Sequence, residues 1–184
     1  MNRKIATLTA AVFSLSLFMT ACKKDDVKPD DSNEEELITT VSLKIKDKST
    51  NAISTYSWKD VDGDGGNLPV IQGITLSPNK SYEVEVDFLD ESKNPAEDIT
   101  EEILEEADDH EVFYQLSNAL VTITRTDKDT KNLPLGLKAD VVTLGSGSAN
   151  LTIILKHKPG TKAAGDNAAN GETDIEVSFP LTVN

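Results

Sequence analysis

The densest run of chemically capable side chains is Asp60-Val61-Asp62-Gly63-Asp64-Gly65-Gly66. Carboxylates at alternate positions followed by glycine can wrap oxygens around Ca²⁺. The spacing matches the first six positions of an EF-hand loop, with Gly65 at the sharp turn. Position twelve, where a bidentate Glu belongs, is Ile71, and Pro69 and Val70 rule out the helix that should follow. The segment is therefore not an EF-hand. Two readings stay open. Asp60, Asp62 and Asp64 form a partial calcium loop closed by a distant carboxylate such as Asp87, Asp90, Asp108 or Asp109. Otherwise the segment is a wide connection between strands, since Asp and Gly dominate turns.

The other reactive types are sparse. His110 follows Asp108 and Asp109. Two carboxylates and an imidazole could hold a metal, but three adjacent residues cannot all face one ion on a helix. The favoured reading is a protonated His110 at a helix C-terminus, where the dipole stabilises a cation. His157 closes a strand and is expected at its rim. Trp58 sits just before the acidic loop and is expected in the core, with a sugar-stacking platform as the lesser reading. There is no Gly-x-Ser-x-Gly motif, no phosphate loop and no dinucleotide fingerprint. Carboxylates are so abundant that a catalytic pair carries no signal. An enzyme is not expected.

These residues must be positioned by strands. Period-two alternation marks half-buried strands. Val41, Leu43 and Ile45 alternate with polar residues, as do Tyr82, Val84, Val86 and Phe88. Val121 and Ile123 form a third face, and Leu151, Ile153 and Leu155 a fourth. Ile175, Val177, Phe179, Leu181 and Val183 form the clearest one. Pro180 lacks an N–H, which predicts an edge or a bulge there. Weaker strands are expected at 53–58, 70–76, 112–116 and 135–143. Residues 98–109 break the rhythm: Ile99, Ile103, Leu104 and Ala107 share a helical face, and Asp98 with Glu101 resembles a capping box. Acidic residues near that helix's C-terminus oppose its dipole, which points to partners outside the helix or to a solvated face. Residues 160–171, rich in Gly, Ala and Asn, read as a flexible hairpin loop between the last two strands. The expected fold is an all-β, immunoglobulin-like or transthyretin-like sandwich of eight or nine strands, with one short helix near 98–109.

The N-terminus predicts location. Arg3 and Lys4 precede an uncharged, mostly apolar run of 15 residues from Ile5 to Met19. This is the layout of a signal peptide, and it falls short of the roughly 20 apolar residues of a spanning helix. Met19-Thr20-Ala21-Cys22 resembles the lipobox of bacterial lipoproteins, and Cys22 is the one cysteine of the chain. The resemblance implies cleavage before Cys22 and lipid on its sulfur. Each buried methylene contributes about 0.8 kcal/mol, so two or three acyl chains anchor stably where one does not. Residues 22–36 are acidic and lack aromatics, as expected of a disordered tether, and 37–184 form a single domain of 148 residues. Lys23-Lys24-Asp25-Asp26 resembles an export tag that some gram-negative bacteria use to place lipoproteins on the outer face of the outer membrane. A periplasm-facing position is the alternative. Residues 1–21 carry two cations and no acids, so cleavage takes the net charge from −14 to −16. That charge disfavours nucleic-acid binding. With Cys22 alkylated, no thiol is left for disulfide or redox chemistry.

Longer stretches carry a second resemblance. They are 58–66, 76–79, Tyr82, Asn94-Pro95, 98–102, 107–110, Phe113-Tyr114 and 171–175. Over most of 38–184 the chain resembles small bacterial lipoproteins labelled "type 1 periplasmic binding fold superfamily protein". That label denotes two parallel α/β lobes, whereas the strand pattern here predicts an all-β fold, and the pattern sets the expectation. The resemblance brings no activity, ligand or site residue with it. The expected function is a lipid-anchored, non-enzymatic binding or scaffolding module with an extracellular protein or glycan partner. The alternatives are a calcium-stabilised module or a glycan-binding accessory of a surface nutrient-uptake system.

Overall fold

The computed structural model describes residues 37–63 and 65–184. Cys22, the preceding segment, the tether and Asp64 lie outside the described residues. Among the described residues, eleven strands and one helix follow in chain order. They are β1 (Thr40–Asp47), β2 (Ile53–Lys59), β3 (Val70–Ile71), β4 (Ile74–Leu76), β5 (Ser81–Asp90) and β6 (Glu97–Asp98). The helix α1 (Ile99–Glu105) comes next, then β7 (His110–Leu116), β8 (Val121–Arg125), β9 (Lys138–Thr143), β10 (Gly147–His157) and β11 (Glu172–Val183). One sheet runs β3-β2-β1-β5-β9-β8, with β6 paired to β5; the other runs β4-β11-β10-β7. This is an all-β sandwich, as the alternation predicts.

The core forms because the predicted apolar faces meet. Val41, Leu43, Val86 and Phe88 come from one sheet, and Ile153, Leu155, Phe179 and Leu181 from the other; all are buried. Fully burying one such side chain stabilises the fold by about 1.5–3 kcal/mol. All pairings are antiparallel except β4 with β11, which is parallel.

The strand count exceeds the expected eight or nine for a local reason. The apolar run 70–76 is cut at Gln72-Gly73, so β3 joins the first sheet and β4 the second. The short β6 adds one more. The strand expected at 135–143 begins only at Lys138, although Leu135 and Leu137 are buried. Gly136 between them has φ +93, and a Cβ there would lie 2.4 Å from the Val112 carbonyl oxygen, so only glycine fits. Pro180 is on an interior strand, not an edge. β4 pairs with β11 only from Leu181 onward, so Pro180 sits where the second neighbour has just ended. The register slips elsewhere, at Asp174 opposite Leu155 and Lys156.

The helix is shorter than its apolar periodicity suggests. It stops at Glu105; Ile99 and Ile103 are buried, but Leu104 is 54% exposed. Residues 106–109 leave as a turn that feeds β7, which removes the last predicted helical turn. Asp98 caps the N-terminus by accepting from the Thr100 N–H at 3.1 Å. Buried Thr100 then serves as a substitute strand partner. Its Oγ1 accepts from the Phe88 N–H at 2.9 Å and donates to the Phe88 carbonyl at 3.2 Å. Thr100→Val keeps the shape and leaves both Phe88 groups unpaired. It should cost about 1–3 kcal/mol in urea unfolding, whereas exposed Leu104→Ala should cost under about 0.5 kcal/mol.

Candidate functional site

The polar chemistry of the domain collects where α1 ends, around the start of β7 and the end of β10. The antiparallel register places His110, the first residue of β7, directly opposite His157, the last residue of β10. Residues paired this way have Cβ atoms about 4.5–5.5 Å apart. The two imidazoles stack with centroids 4.7 Å apart and planes 23° from parallel. His110 is buried and His157 half-buried. The His110 Nδ1 lies 3.2 Å from the carbonyl oxygen of Glu106, the residue that caps the helix C-terminus. The Glu106 carboxylate joins them: ligand atoms of Glu106, His110 and His157 all lie within 4.8 Å of one another.

This corrects the expected protonated His110. Burial pushes its pKa below the usual 6.5, and the neighbouring His157 pushes the same way, against the opposing Glu106 contact. The helix end is present, but desolvation outweighs it. His157 is not a simple rim residue either, since its Nδ1 is buried with no hydrogen-bond partner.

Next along β7, Glu111 is buried and bridges two cations. Its Oε1 accepts from Arg125 Nη1 at 2.6 Å and its Oε2 from Lys158 Nζ at 2.9 Å. Lys158, whose side chain is fully buried, also donates to Asp166 Oδ2 at 3.1 Å. Both cations lie over the Phe113 ring, Arg125 at 4.8 Å and Lys158 at 4.4 Å from its centroid. Such contacts add about 0.5–2 kcal/mol each, more when desolvated. Lys162 Nζ donates to the Ala107 carbonyl at 2.8 Å and sits 2.8 Å from Asp129 Oδ2, outside the directional range of a hydrogen bond to it. The same Asp129 accepts from the Lys131 and Leu133 N–H groups through Oδ1.

The acidic helix end finds its partners outside the helix. Asp108 accepts from the N–H and hydroxyl of Thr130 at 3.0 and 2.8 Å. Asp109 accepts from the Gly160 N–H at 3.0 Å through its carboxylate and from the Lys158 N–H at 2.6 Å through its carbonyl. Segments 106–109, 126–136 and 158–171 are thus tied into one unit. The region read as a flexible hairpin loop is fastened by buried ion pairs.

At the acidic loop, Asp62 Oδ2 accepts from the Asn67 N–H at 3.0 Å and its side-chain amide at 2.6 Å. Those bonds, the backbone one foremost, hold Asp62 below the ordinary carboxylate pKa. Asp60 donates its N–H to the Thr39 carbonyl at 2.8 Å, while its Oδ1 is buried without a hydrogen-bond partner. The carboxylates expected to close a calcium site are all engaged elsewhere. Asp87 pairs with Lys44 at 2.8 Å, and Asp90 accepts from Ser92 at 2.9 Å. Asp108 and Asp109 belong to the helix end. Trp58 is partly buried against the core, beside β3.

Comparison with protein-family models, with curated proteins and with solved structures yields no match to this chain.

Two outcomes test the ionic unit. Glu111→Gln leaves the buried Lys158 and the partly buried Arg125 under-compensated, and it should destabilise the domain by about 3–5 kcal/mol in denaturant unfolding. The second outcome concerns acid. For Asp129, burial alone would raise the pKa, but Lys162 and the Leu133 N–H outweigh it and hold the carboxyl below its ordinary 3.8. Asp166 is held below 3.8 by Asn170 and Lys158. Depressed carboxyl values stabilise fully above the unfolded pKa and lose that contribution as pH falls through the folded one. The melting temperature should therefore fall below pH of about 4, and Asp129→Asn should make that decline shallower.

Proposed function

We propose that this chain is a lipoprotein anchored through Cys22, displayed on the outer face of the outer membrane, and acting there as a non-enzymatic binding or scaffolding module. The carrying observation is the sequence Met19-Thr20-Ala21-Cys22 behind an apolar run, with the chain's one cysteine at the position lipidation requires. The tether from Lys23 to Glu36 supplies distance from the membrane, and Lys23-Lys24-Asp25-Asp26 supplies the direction. Among the described residues no helix is long and apolar enough to cross a membrane.

The fold supports a module that presents a surface to an extracellular protein or glycan. Its buried charges are used structurally: Glu111, Lys158 and Asp166 satisfy one another, and Asp129 holds Lys162. Groups neutralised in this way secure loops and are not free for acid–base work. Of the two ligand classes, a protein partner is better supported than a glycan, because the single tryptophan packs partly into the core.

Metabolic labelling with palmitate, cell fractionation and protease shaving test the proposal. The wild-type chain should take up label, sediment with membranes and be digested on intact cells, and Cys22→Ala should do none of these. An unlabelled wild-type chain, or unchanged membrane attachment of Cys22→Ala, overturns the anchor. Protection from protease on intact cells overturns surface display, and turnover in a broad hydrolase screen overturns the non-enzymatic role.

A further inference from the structure

Among the described residues, the His110–His157 pair is a cluster whose geometry the ion-pair network leaves unexplained. Two imidazoles stacked across a strand pair gain little as apolar filler, and neither ring bonds to the ion pairs beside it. Three observations point to a ligand. First, a carbonyl oxygen only accepts, so the His110 Nδ1 contact with Glu106 requires an N–H on Nδ1. With the proton placed on Nδ1 by that contact, Nε2 is the ring nitrogen that can offer a lone pair. This is the arrangement common in metal-ligating histidines, where the second nitrogen donates to a carbonyl and fixes the tautomer. Second, the His157 Nδ1 is buried without a hydrogen-bond partner. An orphaned imidazole nitrogen costs desolvation energy that a bound cation would recover. Third, Glu106 brings a carboxylate to the same point, with all three ligand atoms within 4.8 Å.

We propose that Glu106, His110 and His157 form a binding site for a divalent transition-metal ion of the Zn²⁺ class. The donor set decides the class. Imidazole nitrogen suits Zn²⁺, Cu²⁺, Ni²⁺ and Co²⁺, whereas Ca²⁺ and Mg²⁺ take oxygen. Zn–N bonds of about 2.0–2.1 Å in a tetrahedron set donors about 3.3 Å apart, so the ligand atoms must close by about 1.5 Å from their widest separation. Rotation of the half-buried His157 ring and the exposed Glu106 side chain supplies that movement. Exposed Glu106 also gives the ion its path from solvent. Three protein donors leave the fourth position to water. The site joins the end of α1 to β7 and β10, so an ion there cross-links the same segments that the ion pairs tie. It is independent of the lipid anchor, and the test below does not depend on that reading.

The test uses the full chain purified in detergent, without a polyhistidine tag and stripped with chelator. Zn²⁺ and Ca²⁺ are titrated by calorimetry, and Co²⁺ by its visible d–d absorption. One Zn²⁺ should bind at micromolar Kd or tighter, the Co²⁺ spectrum should be that of a four-coordinate site, and the melting temperature should rise. His157→Gln and, separately, the exposed Glu106→Gln should each weaken Zn²⁺ at least 10-fold. Because Glu106 is on the surface, its variant tests the site even if His157→Gln fails to fold. Adventitious binding by the acidic surface would appear as several weak sites unchanged in Glu106→Gln, and that result overturns the proposal. Failure of the wild-type chain to bind Zn²⁺ more tightly than Ca²⁺ overturns it too.

Discussion

The Glu111 carboxylate, buried between Arg125 and Lys158, is the constraint on which the helix end of the sandwich depends. A carboxylate out of water is tolerable only if both oxygens are compensated, and here each oxygen meets its own cation. The two cations come from different parts of the chain. Arg125 ends a strand of the first sheet, and Lys158 follows the last residue of β10 in the second. One acidic side chain therefore fixes the edge of one sheet relative to the other, with Phe113 as the apolar floor beneath both cations. Such a cluster is poor evidence of net stability, since each charge pays a large desolvation cost. Its effect is specificity, because any other arrangement strands a buried charge.

The consequence spreads outward from that hub. Lys158 holds Asp166, Asp109 holds Gly160, and Lys162 reaches the Ala107 carbonyl and Asp129. A glycine- and alanine-rich segment with little apolar surface cannot order itself by burial. It is ordered here by charges and by backbone N–H groups that find carboxylates. The acidic C-terminus of α1 then makes physical sense. Asp108 and Asp109 work against the helix dipole, but they compensate by serving as acceptors for two other segments.

Legibility of the fold varied by element. β1, β5, β10 and β11 could be read from alternation, because one buried face imposes a strict period of two. The run 70–76 could not, since nothing in Val70 to Leu76 says that the chain changes sheets at Gln72-Gly73. At Leu104 the helical periodicity continues but the core does not, so the pattern alone overstates the helix's buried face. At the site, Asp60, Asp62 and Asp64 stood out for their spacing, yet Asp62 is taken up by Asn67. His110 drew notice only beside Asp108 and Asp109, which turn away to other segments, and nothing local links it to His157. Only a correct pairing of 112–116 with 151–155, extended two residues past each strand, would have brought His110 and His157 together.

By itself the sequence determined the all-β class, the apolar faces that form the core, the position of the short helix and the expectation of a lipid anchor at Cys22. These follow from local patterns: a side-chain period, a capping residue and the order of charge, apolar run and cysteine. The tertiary structure alone decided the division of strands between two sheets, the burial of Glu111 with Lys158 across a separation of 47 residues, and the meeting of the two imidazoles. The reason is physical. Register between distant strands sets which side chains face each other, and burial then sets their charge state. Neither quantity is encoded within the span of a single strand.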